Sequence, residues 1–248
     1  MKITSVNNDL VKETAKLLKG KYRDETGLFL IEGEKGVKEA ISAGVNIERI
    51  FVLERINGYP EEKIIETSEA VLSKISDAKT APKVIAVAHQ IKTGVNDIKN
   101  AQRVILLEGI KDAGNLGTIL RTASAFGIDG IVLYGDTVDL YNPKCVRSTV
   151  GCLWKTTIIN IKDFKALKDS FSLYERIATL PAGTNVIQLE DYTPSEKVLI
   201  MFGSEADGLS EELKNFATKN VTIEMAENVE SLNLSISVGV VAYKLKQV

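Results

Sequence analysis

The sequence has few of the side chains that most often build metal and hydrolytic sites. Among its 248 residues there is a single histidine, His89, and there are two cysteines, Cys145 and Cys152. So few histidines and cysteines argue against a zinc site of the usual Cys/His kind. A hydrolase of the Ser-His-Asp or Cys-His type would have to use His89 as its catalytic histidine. His89 stands in the alternating apolar stretch 84–90, which predicts a strand. We therefore predict no metal site, reduced cysteines and a histidine on a strand face.

Long hydrophobic runs and a strong net charge are also missing. No apolar run approaches the roughly 18 residues that span a bilayer, and the first residues contain no apolar signal core. We therefore expect a cytoplasmic protein with no membrane partner. The net charge of −2 argues against indiscriminate binding to nucleic acid. Residues 1–23 are an exception, with six cationic and two acidic side chains. They form either an arm that contacts phosphates or a solvated helix face.

The order of strand and helix patterns predicts an α/β protein in two parts. Residues 1–97 form a small α/β unit, a polar stretch at 92–102 forms a linker, and residues 103–248 alternate strands and helices more regularly. Near-continuous apolar strands, such as 198–202, are typical of a parallel sheet that helices cover on both faces. The final segment, 231–247, fits both a strand and a helix period, and its length favours a helix.

The first of three informative motifs covers residues 115–123, which read Asn-Leu-Gly-Thr-Ile-Leu-Arg-Thr-Ala. It follows a predicted strand and opens a predicted helix, with Asn115 as a suitable N-cap. Arg121 stands one turn beyond Gly117, and its planar guanidinium is suited to binding a phosphate through two hydrogen bonds. Alternatively, Asn115 is a plain cap and Arg121 a surface charge. The glycines of this region do not form the nicotinamide-binding pattern G-x-G-x-x-G.

The other two motifs follow later strands. Residues 203–209 read Gly-Ser-Glu-Ala-Asp-Gly-Leu and predict a tight loop whose exposed backbone lines a slot. Within it, Glu205 either orients the loop or neutralises a cationic group, or it serves a structural hydrogen bond. The third motif joins residues 223–225, Ile-Glu-Met, to residues 231–235, Ser-Leu-Asn-Leu-Ser, at the start of the final helix. There Asn233 offers both hydrogen-bond donors and acceptors.

Together these motifs resemble the three motifs of the SpoU (TrmH) branch of the SPOUT RNA methyltransferases, and the resemblance covers essentially the whole chain. It implies an α/β fold in which an open parallel-sheet catalytic domain with a C-terminal trefoil knot occupies residues 103–248. It also implies a small ribosomal-protein-like RNA-binding domain at residues 1–97. Three positions depart from the family pattern, because Ala113, Glu224 and Glu227 replace residues that are commonly Pro, Pro and Gly.

The resemblance further implies which residues act. The catalytic set comprises Asn115, Arg121, Glu205 and Asn233. The residues that bind the cofactor S-adenosylmethionine comprise Leu180, Gly203, Glu205, Ile223, Met225, Ser231 and Leu232. The family also implies a homodimer formed through the C-terminal domain.

The leading hypothesis is therefore an S-adenosylmethionine-dependent RNA methyltransferase that modifies a ribose 2′-hydroxyl, with rRNA favoured as the substrate. No histidine in the motifs can act as a base at neutral pH, and an arginine stays cationic in proteins. We therefore expect Arg121 to position and polarise the substrate phosphate and hydroxyl. Two alternatives remain, namely a tRNA 2′-O-methyltransferase and a catalytically silent RNA-binding or assembly protein with the same fold.

Overall fold

The computed structural model describes residues 1–55, 57–183, 185–226, 228–229 and 231–246. Strands and helices alternate along most of this length. In chain order they are β1 (Lys2–Ile3), α1 (Asp9–Lys16), α2 (Gly20–Thr26), β2 (Leu28–Glu32), α3 (Glu34–Ser42), β3 (Ile47–Val52), β4 (Ile64–Thr67), α4 (Glu69–Lys74), β5 (Val84–His89), α5 (Val95–Ile98), β6 (Arg103–Glu108), α6 (Ala113–Phe126), β7 (Gly130–Tyr134), α7 (Pro143–Ser148), β8 (Thr157–Ile161), α8 (Phe164–Phe171), β9 (Glu175–Thr179), β10 (Ile187–Gln188), β11 (Val198–Phe202), α9 (Glu211–Phe216), β12 (Lys219–Thr222) and α10 (Leu234–Lys246).

The chain divides into two compact units, and the division is not a single cut. The first unit contains Met1–Lys92 together with Asp139–Trp154, and the second contains Thr93–Val138 and Lys155–Val248. The polar stretch predicted as a linker, residues 92–102, begins where the chain first passes from the first unit to the second. Residues 139–154 lie within the sequence range predicted for the catalytic domain, but they belong to the first unit.

The first unit is built on a mixed five-stranded sheet with the strand order β1-β4-β3-β5-β2. β5 runs antiparallel to both of its neighbours. Its apolar side chains are buried, and His89 ends the strand with an exposed side chain, which confirms the predicted strand placement. Cys145 is buried and Cys152 is partly exposed, and the reduced state of both stays a prediction.

Aromatic packing and ion pairs hold residues 139–154 in the first unit. The Phe29 ring on β2 lies 4.6 Å from the Tyr141 ring and 6.1 Å from the Trp154 ring, measured between centroids. Arg23 is buried and contacts the Asp139 carboxylate at 2.5 Å. Of the cationic residues in segment 1–23, Arg23 is therefore engaged inside the unit and does not face a phosphate.

The second unit contains a wholly parallel sheet with the strand order β10-β12-β9-β11-β6-β7-β8. β7 and β8 extend the sheet to one side of β6, whereas β11, β9, β12 and β10 lie on the other side. Strands of this sheet such as β7 and β11 are buried along their whole length, so the predicted parallel α/β sheet is confirmed. The strand order reverses beside β6, and ligands of open parallel sheets bind outside the carboxyl ends of the strands at such a reversal.

The ambiguous final segment forms the helix α10, as its length predicted. One face of this helix is buried, and it includes Val238 and Val241. α10 packs on α6, where the rings of Tyr243 and Phe126 lie 5.5 Å apart. A second face carries exposed apolar side chains. Among the described residues, no helix is both long enough and apolar enough to cross a membrane.

Candidate functional site

A cavity of about 930 Å³ opens at the carboxyl ends of three neighbouring strands of the parallel sheet. Its walls include Thr179 from the end of β9, Phe202 from the end of β11 and Thr222 from the end of β12, and the start of α10 contributes Leu234. Most ligand pockets have volumes of about 300–1,000 Å³, with apolar walls and a few convergent polar groups. This cavity has that size and that mixture of groups.

The loop of residues 203–209 forms one wall of the cavity and closes tightly on itself. The Gly208 N–H donates to the Ser204 carbonyl at 3.0 Å, and the Asp207 N–H donates to Ser204 Oγ at 3.0 Å. A Cβ placed on Gly203 would lie 1.9 Å from the Gly208 carbonyl carbon and 2.1 Å from the Leu209 nitrogen. The loop can therefore take this path only because residue 203 has no side chain.

Groups at the ends of β6 and β7 anchor this loop and the helix that follows it. Glu108 accepts a hydrogen bond from the Ser210 N–H at 2.7 Å, and the Tyr134 hydroxyl donates to Glu212 Oε2 at 3.0 Å. Burial and the contact with the Glu212 carboxylate raise the pKa of Tyr134 to about 12. The phenol is therefore protonated at neutral pH and remains a donor that fixes the start of α9.

Residues from all three motifs meet in a chain of hydrogen bonds. The Asn115 Nδ2 donates to Glu205 Oε1, and the Asn233 Nδ2 donates to Asn115 Oδ1 at 3.3 Å. Glu205 and Asn233 line the cavity, and Asn115 joins it through these two contacts. The fold thus brings Asn115 to one edge of the cavity together with two side chains that lie 90 and 118 positions later in the sequence.

The structure places every predicted cofactor residue in the walls of this cavity. The seven residues Leu180, Gly203, Glu205, Ile223, Met225, Ser231 and Leu232 all line it. The side chain at Glu224, where the family pattern has proline, is exposed and does not line the cavity. Glu227, the other departure in this segment, lies outside the described residues.

Arg121 lies apart from these contacts. It is exposed on α6, it does not line the cavity, and it makes no hydrogen bond or ion pair with another residue that the structure describes. A guanidinium with this freedom can meet an external anion without first breaking an internal pair. The structure therefore leaves Arg121 available to a substrate phosphate but does not join it to the cavity.

One local expectation from the sequence was wrong. Asp112, and not Asn115, caps α6, because its carboxylate accepts the Asn115 N–H at 2.8 Å. The helix thus begins at Ala113, and the Asn115 side chain is free to contact Glu205. Sequence reasoning could have found this cap, since Asp is as good an N-cap as Asn.

Lys214 is a residue of the site that carried no signal in the sequence, whereas Asp207 belongs to the motif of residues 203–209. Lys214 and Asp207 also line the cavity, and Lys214 forms an ion pair with Glu211 at 2.8 Å on the first turns of α9. Within the described part of the chain, no group of three or more His, Cys, Asp or Glu side chains could hold a metal ion.

Comparison with known protein families finds a match in each of two parts of the chain. A family model described as the SpoU rRNA Methylase family matches residues 102–243. A second model, described as the MRM3-like substrate binding domain, matches residues 8–86. The first match contains the whole cavity and its three motifs.

Individual relatives are similar along nearly their full lengths. An uncharacterized tRNA/rRNA methyltransferase of Synechocystis sp. is 32% identical, with 99% of this chain and 93% of the relative aligned. The 23S rRNA (guanosine(2553)-2′-O)-methyltransferase RlmP of Bacillus subtilis is 29% identical, with 98% of each chain aligned. A crystal structure of an AdoMet-bound rRNA methyltransferase from Sinorhizobium meliloti superposes with a TM-score of 0.90 at 28% identity, covering 100% of this chain and 97% of that one.

Proposed function

The chain belongs to the SpoU rRNA methylase family, and from this premise we propose that it is an S-adenosylmethionine-dependent RNA methyltransferase that methylates a ribose 2′-hydroxyl of rRNA. The observation that carries this proposal is the convergence of the three motifs on one cavity. The second and third motifs form its walls, and the first contributes Asn115 to the hydrogen bonds at its edge.

The cavity fits S-adenosylmethionine in size and in chemistry. Leu180, Ile223 and Leu232 supply apolar surface for a flat adenine, and Gly203 allows the loop of residues 203–209 to fold tightly into the cavity wall. We assign cofactor binding to these residues together with Glu205, Met225 and Ser231. When bound, S-adenosylmethionine supplies an electrophilic methyl group that is carried on a sulfonium.

The protein then has to align the ribose hydroxyl and balance the charge around it. We assign the positioning of the ribose to the amides of Asn115 and Asn233 and to the Glu205 carboxylate. We assign the substrate phosphate to Arg121, whose guanidinium stays cationic and polarises the phosphate and the neighbouring hydroxyl. The side chains at the cavity edge include no histidine, so positioning and electrostatics supply the catalysis rather than a neutral-pH base.

We propose that the two regions of the sequence divide the work. Residues 1–97 bind the RNA substrate, and residues 103–248 carry out methyl transfer. Exposed lysines of the first region, such as Lys2 and Lys19, are available to phosphates. The matching substrate-binding family model at residues 8–86 supports this division.

We favour rRNA over tRNA as the substrate, because relatives that align over most of the chain carry 23S rRNA activities in their names. We also propose the cytoplasm as the location, which follows from the proposed substrate and from no direct observation of the structure. The exposed Glu224 does not alter the cavity wall, and the chain of hydrogen bonds is complete. Both observations favour an active enzyme over a silent binding protein.

Two measurements test the proposed function. Calorimetric titration of the folded protein with S-adenosylmethionine is expected to show one binding site per chain. Mass-spectrometric mapping of 2′-O-methyl groups in rRNA is expected to show one mark that is missing from a deletion strain and returns on complementation. A folded protein that shows no heat of binding, or an unchanged methylation map, would contradict the proposal.

We also propose that the protein forms a homodimer through α10. Ile236, Val240 and Tyr243 are 54%, 39% and 53% exposed, and they lie along one face of this helix. Soluble proteins rarely leave such apolar surface uncovered, and a two-fold dimer covers it in the simplest way.

Light scattering at micromolar concentration is therefore expected to report about twice the chain mass of 27.1 kDa. Val240→Glu should shift the protein to monomer, because it places a charge in the apolar face. Leu173→Glu is the matched control, since Leu173 is 89% exposed and lies outside α10, and it should remain a dimer. A wild-type monomer with full activity would rule out this assembly.

A further inference from the structure

Ser235 lies behind the chain of hydrogen bonds and makes two contacts with it. This serine is only 7% exposed and stands in the first turn of α10. Its N–H donates to Asn233 Oδ1 at 2.9 Å, and its Oγ donates to the same oxygen at 2.6 Å. An amide oxygen has two lone pairs, so these two donors occupy both of them.

These contacts determine which way the Asn233 amide faces. With Oδ1 bound to Ser235, the Asn233 Nδ2 points to Asn115 Oδ1. At the other end of this series of hydrogen bonds lies Glu205. An ionised carboxylate only accepts hydrogen bonds, so Glu205 needs a donor, and the Asn115 Nδ2 supplies it. Every donor therefore points the same way, from Ser235 through Asn233 and Asn115 to Glu205.

The two hydrogen bonds from Ser235 matter because the other residues in this series of hydrogen bonds lie closer to the surface. Asn233 and Glu205 are exposed, and water competes for exposed amides and carboxylates. Ser235 is buried, so its hydrogen bonds to Asn233 Oδ1 are protected from this competition. Each of the two amides also keeps one N–H without a partner among the described residues, and this N–H can meet a substrate oxygen.

We infer that Ser235 is a positioning residue for methyl transfer. Its two hydrogen bonds occupy Asn233 Oδ1, so the Asn233 amide presents N–H donors, and no acceptor, to Asn115 and to the cavity. This inference rests on the proposed function. If the hydroxyl of Ser235 is removed, Asn233 Oδ1 regains a free lone pair. The amide can then accept a hydrogen bond from a substrate hydroxyl or from water, and only the Ser235 N–H still holds the orientation of Asn233.

The test compares side chains of similar size at position 235. Single-turnover methylation of total RNA from a deletion strain, with radiolabelled S-adenosylmethionine, gives the transfer rate. Ser235→Ala and Ser235→Cys should both slow transfer by about two- to twelvefold, as expected for the loss of one neutral hydrogen bond. The thiol fills the same space but donates weakly. Ser235→Thr keeps the hydroxyl and should restore most of the rate. Cofactor affinity should stay within about twofold in each variant.

A matched control and a double-mutant cycle separate positioning from simple stability. Ser148→Ala removes a serine hydroxyl that donates to the Lys144 carbonyl at 2.8 Å on α7, and it should leave the rate unchanged. In an Asn233→Ala background, Ser235→Ala should cause no further loss, because its effect is transmitted through Asn233. Independent, additive losses would overturn the inference, as would a cysteine variant with the wild-type rate. Failure of the wild-type protein to bind cofactor or to methylate RNA would instead overturn the proposed function itself.

Discussion

Gly203→Val is expected to abolish cofactor binding while the protein stays folded. Any Cβ at this position falls 1.9 Å from the Gly208 carbonyl carbon and 2.1 Å from its oxygen. Both are backbone atoms, so no change of rotamer can relieve the overlap, and the loop of residues 203–209 has to move. Because this loop lines the cavity, we expect affinity for S-adenosylmethionine to fall on the order of a hundredfold or more, about 2.7 kcal/mol. Calorimetric titration measures the change directly.

Two further variants sharpen this test. Gly203→Ala should weaken binding almost as strongly, because the overlap already occurs at the Cβ. Gly94→Val is the control, since Gly94 has an extended backbone with a φ of −144° and a Cβ there meets nothing within 4 Å. Circular dichroism should show a folded protein in all three. Normal binding by Gly203→Val would mean that the cofactor lies somewhere other than this cavity.

The sequence predicted the parallel sheet and the cavity walls well, because both depend on local signals. Near-continuous apolar runs such as β11 identify strands that are buried on both faces. A ligand loop then follows each such strand at its carboxyl end. Those two rules predict that the motifs at Gly203 and Ile223 lie at one edge of the sheet.

Contacts between distant parts of the chain could not be predicted in this way. Arg23, a candidate for either a phosphate contact or a solvated helix face, is instead buried in an ion pair with Asp139, 116 positions away. Pattern alone gave no reason for residues 139–154 to pack with the first unit. The trefoil knot is likewise implied by the family and by no periodicity of the sequence.

The interpretation of Asn115 shows how two roles compete for one residue type. Asn is both a good helix cap and a versatile hydrogen-bonding group, and local propensity favoured the cap. The structure gives the cap to Asp112, three residues earlier. Only the fold, which brings Glu205 and Asn233 within reach, shows that the Asn115 side chain is used elsewhere.

Arg121→Ala is expected to reduce methyl transfer by about a hundred- to a thousandfold while cofactor affinity stays unchanged. The reduction has the size seen when one preorganised donor to a developing charge is removed. Affinity should hold because Arg121 does not line the cavity. Single-turnover methylation and calorimetric titration with S-adenosylmethionine, performed on the same preparation, separate the two effects.

Arg121→Lys tests the geometry of the proposed phosphate contact. Lysine keeps the charge but presents it as a compact ammonium, which cannot bind a phosphate through two parallel hydrogen bonds. We therefore expect this variant to remain much slower than the wild type. Lys168→Ala removes an exposed cation from α8 in the same unit and should transfer methyl groups at the normal rate. Near-normal turnover by Arg121→Lys would show that charge alone suffices, and weakened cofactor binding by Arg121→Ala would place Arg121 in the cofactor site instead of at the RNA.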